Sequence, residues 1–113
     1  MPHALVEFSD PKIIGSEEAA ILDAVFSAMA KSDLFIHEDI KVRSHPVSMT
    51  RNGTTNYTFI HATLRIMPGR TREQKHDLSQ LVLTALSALP SPAKSTTVEV
   101  IEIDRDLYAK RVL

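Results

Sequence analysis

Pro2 is the first residue of this 113-residue chain whose type and position could do chemistry. Removal of the initiator methionine, common ahead of a proline, would leave Pro2 with a free secondary amine. With Met1 retained, the same nitrogen is an amide and accepts no proton. A free amine acts as a base at neutral pH only if burial and neighbouring cations destabilise its ammonium form. Lowering its pKa by about two units costs roughly 2.7 kcal/mol of differential interaction, within reach of one or two Arg or Lys groups in a partly dry pocket. The plain alternative is chance, because about 5% of positions in any chain are proline.

Gly69-Arg70-Thr71 is the second such place. It falls where a strand gives way to a helix, so backbone N–H groups, the helix dipole and a guanidinium fork would converge on a carboxylate or phosphate. A solvated arginine beside an ordinary turn is the competing account. The third is Lys41, Arg43 and His45, which alternate with Ile40, Val42 and Ser44 and therefore share one face of a strand. Such a cationic stripe, if covered in an oligomer, would need an anionic substrate or acidic side chains opposite it. His3, His37, His45, His61 and His76 show no metal-ligand spacing, and no zinc site is expected. His61, in mid-strand on the face of Phe59 and Thr63, reads as a hydrogen-bonded structural histidine.

The elements that must position these residues follow from periodicity. Ala4 to Phe8 form a strand, and Ser9-Asp10-Pro11 breaks it. Beyond Gly15, Ser16 is placed to cap a helix with Glu17 and Glu18 in its first turn and with Ile21, Leu22, Val25, Phe26 and Met29 on one stripe. A strand over 40–47 and a longer one over 57–67 flank the turn Arg51-Asn52-Gly53-Thr54-Thr55-Asn56, and the two are expected to pair as a hairpin. Thr71 and Gln74 make a capping box for a second helix with the stripe Leu78, Leu81, Val82, Ala85 and Leu89, stopped by Pro90-Ser91-Pro92. A last strand, Thr97 to Ile103, precedes a charged tail.

The order is two βαβ units in a single α+β domain, 1–113, with halves of about 1–52 and 53–113. Right-handed crossovers put both helices on one face of a four-stranded sheet. The other face has nothing in the chain to cover it, although both faces carry apolar groups: Ile60, Leu64 and Ile66 point one way and Tyr57 and Phe59 the other, and Val98 and Val100 oppose Ile101 and Ile103. A second copy of the chain is the nearest cover, so a homo-oligomer is expected.

Composition narrows the function. Thirteen Lys plus Arg against fourteen Asp plus Glu give a net charge of −1, so no global field favours nucleic acid or anionic lipid. Six aromatic residues, four Phe and two Tyr, are too few for a base-stacking platform. The apolar runs are far shorter than the roughly 20 residues of a membrane span, and a soluble cytoplasmic protein is expected. With no cysteine, thiolate catalysis, disulfides and Cys-ligated zinc are excluded.

Taken together, Met1-Pro2-His3 leading into Val6-Glu7-Phe8-Ser9-Asp10, then Arg43-x-His45, the block Tyr57-x-Phe59-Ile60-His61-x-Thr63-Leu64-x-Ile66 with Gly69-Arg70, and Val98-Glu99-x-x-Glu102-Ile103 resemble the 5-carboxymethyl-2-hydroxymuconate delta-isomerases of the tautomerase superfamily. That resemblance implies two βαβ units assembled as a homotrimer, and a cofactor-independent isomerase of aromatic-compound catabolism. It implies that Pro2 takes the proton of the 2-hydroxyl of a 2-hydroxy-2,4-dienoate and returns it at carbon 5, giving the 2-oxo-3-enoate. Arg70 would bind the carboxylate and carbonyl end and stabilise developing charge on oxygen. Lys41 stands where the family has an arginine and Arg43 matches a neighbouring one, both implied to bind substrate. A lysine there offers a point charge instead of a planar fork, which alters carboxylate recognition. The implied partner is an unsaturated hydroxy di- or tricarboxylate. Two other readings stand beside it, a superfamily hydratase or decarboxylase of unsaturated acids and a non-catalytic anion-binding trimer.

Overall fold

A computed structural model of the chain describes residues 1–10, 16–55 and 57–113. Pro11, Gly15 and Asn56, which entered the expectations above, lie outside the described residues. Strand β1 runs His3–Ser9, helix α1 Glu18–Lys31, β2 Lys41–Val47, β3 Phe59–Ile66, α2 Arg72–Ser87 and β4 Ser95–Glu102, with 3-10 turns at His37–Asp39 and Arg105–Leu107. Strands and helices thus follow the βαβ–βαβ order, with ends shifted by a residue or two.

The sheet order is β2-β1-β3-β4. β1 is parallel to β2, with His3 opposite Lys41, and antiparallel to β3, with His3 opposite Arg65. β3 and β4 are parallel. The expected β2–β3 hairpin does not form, because β1 is inserted between its two arms. A tight hairpin needs a connection of two to five residues, whereas the segment 48–58 is long enough to cross the extra strand, about 9–10 Å for two spacings. The insertion pairs both edges of β1, whose alternate side chains Ala4, Val6 and Phe8 are fully buried.

Those three residues face inward with Ile60, Ala62, Leu64 and Ile66 of β3, and both helices close over them. α1 buries Ile21, Val25, Ala28 and Met29, and α2 buries Leu78, Val82 and Leu86. Each large side chain taken fully out of water contributes roughly 1.5–3 kcal/mol to the core. Leu81, expected on the buried stripe of α2, is instead 38% exposed, and Leu89 packs on the core from beyond the helix end.

The two helix starts differ. At α2 the capping box forms in both directions, Gln74 N–H to Thr71 Oγ1 at 3.1 Å and Thr71 N–H to Gln74 Oε1 at 2.9 Å. At α1 the cap is Glu17, which makes no side-chain cap bond, and Ser16 does not cap. Ser16 is buried and its hydroxyl donates to the Ser91 carbonyl at 2.8 Å, tying the start of α1 to the chain leaving α2. Ser44 of β2 donates to the Glu18 carboxylate and fixes the same end of α1 to the sheet.

The uncovered sheet face is more polar than expected. In register across the four strands run Lys41, His3, Arg65 and Ile101, then Arg43, Leu5, Thr63 and Glu99, then His45, Glu7, His61 and Thr97. Apolar groups are dispersed among charges. His61 is held on both sides, Nδ1 to Thr97 Oγ1 at 2.6 Å and Nε2 to Glu99 Oε2 at 2.6 Å, as expected of a structural histidine.

Candidate active site

Pro2 enters β1 from the middle of the sheet, flanked by strands on both sides. Its ring is buried, and its carbonyl accepts a hydrogen bond from Lys41 N–H at 3.2 Å, which locks the start of β1 to the start of β2. Position 2 is therefore held by the ladder.

Arg70 reaches the same place by another route. β3 runs antiparallel to β1, so its C-terminal end lies beside the beginning of β1. Gly69 then takes a φ of +123°, a left-handed conformation strained for any side chain, and turns the chain into α2. Arg70 lies with one face over the Phe35 ring, 5.1 Å from guanidinium carbon to centroid, and its Nη2 donates to the Leu34 carbonyl. Both contacts fix the guanidinium before any ligand arrives.

The partners of Arg70 come from the turn after α1. Ser32 Oγ donates to the Met29 carbonyl at 2.6 Å and accepts from Leu34 N–H at 3.3 Å. Asp33 between them has φ +59°, a left-handed conformation that aspartate tolerates better than most residues. The chain is thereby turned back over the N-terminal end of β1. Between it and Pro2 lies a cavity of about 330 Å³, lined by Met1, Pro2 and Arg70 together with 33–36 and Asp39.

Lys41 stands at the margin. Its Nζ donates to the Asp39 carbonyl at 3.1 Å and lies 3.5 Å from Met1 Sδ. Arg43 stands apart. It donates from Nη1 to His3 Nδ1 at 3.2 Å and lines a separate depression with Leu5, Glu7 and His45. Since a guanidinium only donates, Nδ1 of His3 must accept, and Nε2–H then donates to Tyr108 Oη at 2.8 Å. Burial first, then Arg43 and Lys41, push the His3 pKa below its usual 6.5 and keep the ring neutral. The folded chain thus brings Pro2, Arg70 and Lys41 together and leaves Arg43 one row further along the open face.

The Met1 amino group lies below its usual 8.0, chiefly through burial; Asp39 opposes this, while Lys110, Arg70 and Lys41 reinforce it. Sequence reasoning missed Asp33, Asp39 and the wall Leu34-Phe35-Ile36, because loop residues carry no periodicity. Ser32-Asp33 after an apolar helix marks a turn, and nothing local says where that turn leads.

Residues 2–111 match the family described as 5-carboxymethyl-2-hydroxymuconate isomerase. No curated protein sequence matches the chain significantly. Among solved structures, a 5-carboxymethyl-2-hydroxymuconate delta-isomerase superposes with TM-score 0.83 at 16% identity, covering 99% of this chain and 88% of its own. A 5-carboxymethyl-2-hydroxymuconate isomerase from Deinococcus radiodurans R1 gives 0.73 at 20% identity, covering 97% and 88%. A fused 4-OT wild-type symmetric trimer gives 0.73 at 20% identity, covering 89% and 85%. At these identities the structural likeness bears on the fold alone. The sequence match over nearly the whole length adds the kinship: the chain belongs to the 5-carboxymethyl-2-hydroxymuconate isomerase family.

Proposed function

We propose that the protein is a cofactor-independent isomerase of unsaturated 2-hydroxy acids, with the nitrogen of Pro2, freed by removal of Met1, as its base. The observation that carries this is the shared cavity of Pro2 and Arg70, with Lys41 at its margin. Pro2 takes the proton from the 2-hydroxyl of a 2-hydroxy-2,4-dienoate as the O–H bond breaks, and the electron pair moves through the conjugated chain. The same proton is delivered to carbon 5, giving the 2-oxo-3-enoate. Arg70 holds the C1 carboxylate and the adjacent oxygen, where negative charge gathers in the dienolate. Lys41 adds positive charge beside the amine, favouring its neutral form. Arg43, turned toward His3, acts at the edge of the site or across a subunit boundary.

Assembly as a homotrimer is part of the proposal. The polar open face of the sheet is large and unpartnered in one chain, and the fused 4-OT relative is a symmetric trimer. Sedimentation at micromolar concentration tests the trimer. Catalysis is tested with Pro2→Ala, after intact mass has verified loss of Met1 in both proteins, by following ketonisation of a 2-hydroxydienoate in the ultraviolet. Loss of about two orders of magnitude or more in kcat is expected for removal of a general base. Unchanged turnover rejects Pro2 as the base.

A further inference from the structure

The C-terminal segment returns to the end of the sheet where Pro2 lies. β4 is parallel to β3, and β3 is antiparallel to β1, so β4 ends on the side from which β1 starts. Three hydrogen bonds then lead the chain from the edge of the sheet toward its middle. Ile103 N–H donates to the Ile66 carbonyl at 2.7 Å, Arg105 Nη2 to the Pro68 carbonyl at 3.3 Å, and His3 Nε2–H to Tyr108 Oη at 2.8 Å. The Tyr108 and His3 rings also meet edge-on, with centroids 6.0 Å apart. Arg43, by donating to Nδ1, fixes the His3 tautomer that can donate to Tyr108.

His3 directly follows Pro2, and Lys110 lies two residues beyond Tyr108, at most about 7 Å of backbone. The His3–Tyr108 latch therefore keeps Lys110 near residue 2 with or without Met1. Being within one chain, it holds whatever a neighbouring subunit adds to the cavity. Lys110 makes no hydrogen bond or ion pair among the described residues. The charges bearing on the N-terminal amine come from four places: Asp39 before β2, Lys41 of β2, Arg70 between β3 and α2, and Lys110 of the tail, with the neutral His3 ring beside them. Burial lowers the pKa of that amine most and Asp39 raises it; of the three cations that lower it further, Lys110 leads.

We infer, resting on the reading of Pro2 as base, that residues 103–110 form a strap in which Tyr108 is a positioning residue: its latch on His3 sets the Lys110 ammonium beside the Pro2 nitrogen and so favours the uncharged, proton-accepting form of that nitrogen. Tyr108 touches no reacting atom in this account. It acts through Lys110, whose charge makes protonation of the amine costlier.

The test follows the acid limb of the kcat/KM pH profile, which reports the base of the free enzyme. In parallel, the Pro2 nitrogen is titrated by nitrogen NMR in proline-labelled protein whose loss of Met1 is shown by intact mass. In Lys110→Gln both titrations should move up by about 0.3–0.8 pH unit, the effect of one charge several ångströms away near a surface, and the shift should shrink as salt is raised. Tyr108→Phe keeps the ring and removes only the hydroxyl, and an upward shift is expected there too. The double variant should shift no further than Lys110→Gln, because the two residues act as one unit. Lys110→Arg keeps the charge and should titrate as wild type. A merely structural tie would lower Tm in Tyr108→Phe and leave both titrations in place, and that result overturns the inference. Additive shifts in the double variant, or a shift in Lys110→Arg equal to that in Lys110→Gln, also overturn it. The expected NMR shifts without turnover of a 2-hydroxydienoate uphold the strap and refute the isomerase reading. Turnover with titrations unmoved in every variant does the reverse, and retention of Met1 overturns both.

Discussion

Replacing Gly69 by alanine isolates the conformation that aims Arg70. The φ of +123° lies where an L side chain is strained, while a Cβ built there meets no atom within 4 Å. The cost is therefore backbone strain alone, about 1–3 kcal/mol for a residue held in such a region. At about 2.1 cal/mol/K per residue, a chain of 113 residues unfolds with an entropy near 0.24 kcal/mol/K, so a loss of about 2 kcal/mol lowers Tm by roughly 8 °C. Gly53 supplies the control. It too has open space around its Cβ position but no positive φ. Gly53→Ala should be neutral or stabilise by up to about 1 kcal/mol, since alanine restricts the unfolded chain. Thermal unfolding followed by circular dichroism reads both. Opposite signs for the two variants are expected; a Tm for Gly69→Ala within a degree of wild type would refute the strain argument and the account of Arg70 placement built on it.

Thr71→Ala removes one half of the α2 capping box, and a loss of about 1 kcal/mol in urea unfolding is expected, with Thr71→Ser close to wild type. Stability should also respond to His3. Its pKa is depressed in the fold, so the unfolded chain binds the proton first as pH falls. The His3 contribution is complete above pH 6.5 and is lost as pH drops through the lower folded value. The difference in urea midpoint between wild type and His3→Gln should therefore shrink or reverse on acidification, and a constant difference would remove His3 as the source.

How far these features could be read from residues alone depended on how local their causes are. The stripe Ile21, Val25 and Met29 and the pair Thr71 and Gln74 are determined within a few residues, and both appear in the fold as expected. Strand adjacency is different: nothing between residues 40 and 67 reveals that β1, tens of residues earlier, lies between β2 and β3. Ser16 shows the limit of capping rules, since a tertiary acceptor at Ser91 outcompeted its own helix. The cationic stripe on β2 was correctly placed on one face, yet Arg43 was drawn to His3 by a neighbour on β1. In the cavity, Pro2 and Arg70 were legible as chemical types, whereas the acidic and apolar wall required knowing where a non-repetitive loop comes to rest.

The interior position of β1 bears on how the protein behaves when warmed. Peripheral strands can peel away while the middle of a sheet stays intact, because a middle strand is released only when hydrogen bonds on both flanks give way together. Pro2 is anchored to that middle strand through the Lys41 amide, so its placement is coupled to cooperative melting of the whole molecule instead of to loosening of a frayed terminus. Heating should leave the geometry around residue 2 intact almost up to the global transition, then abolish it in one step.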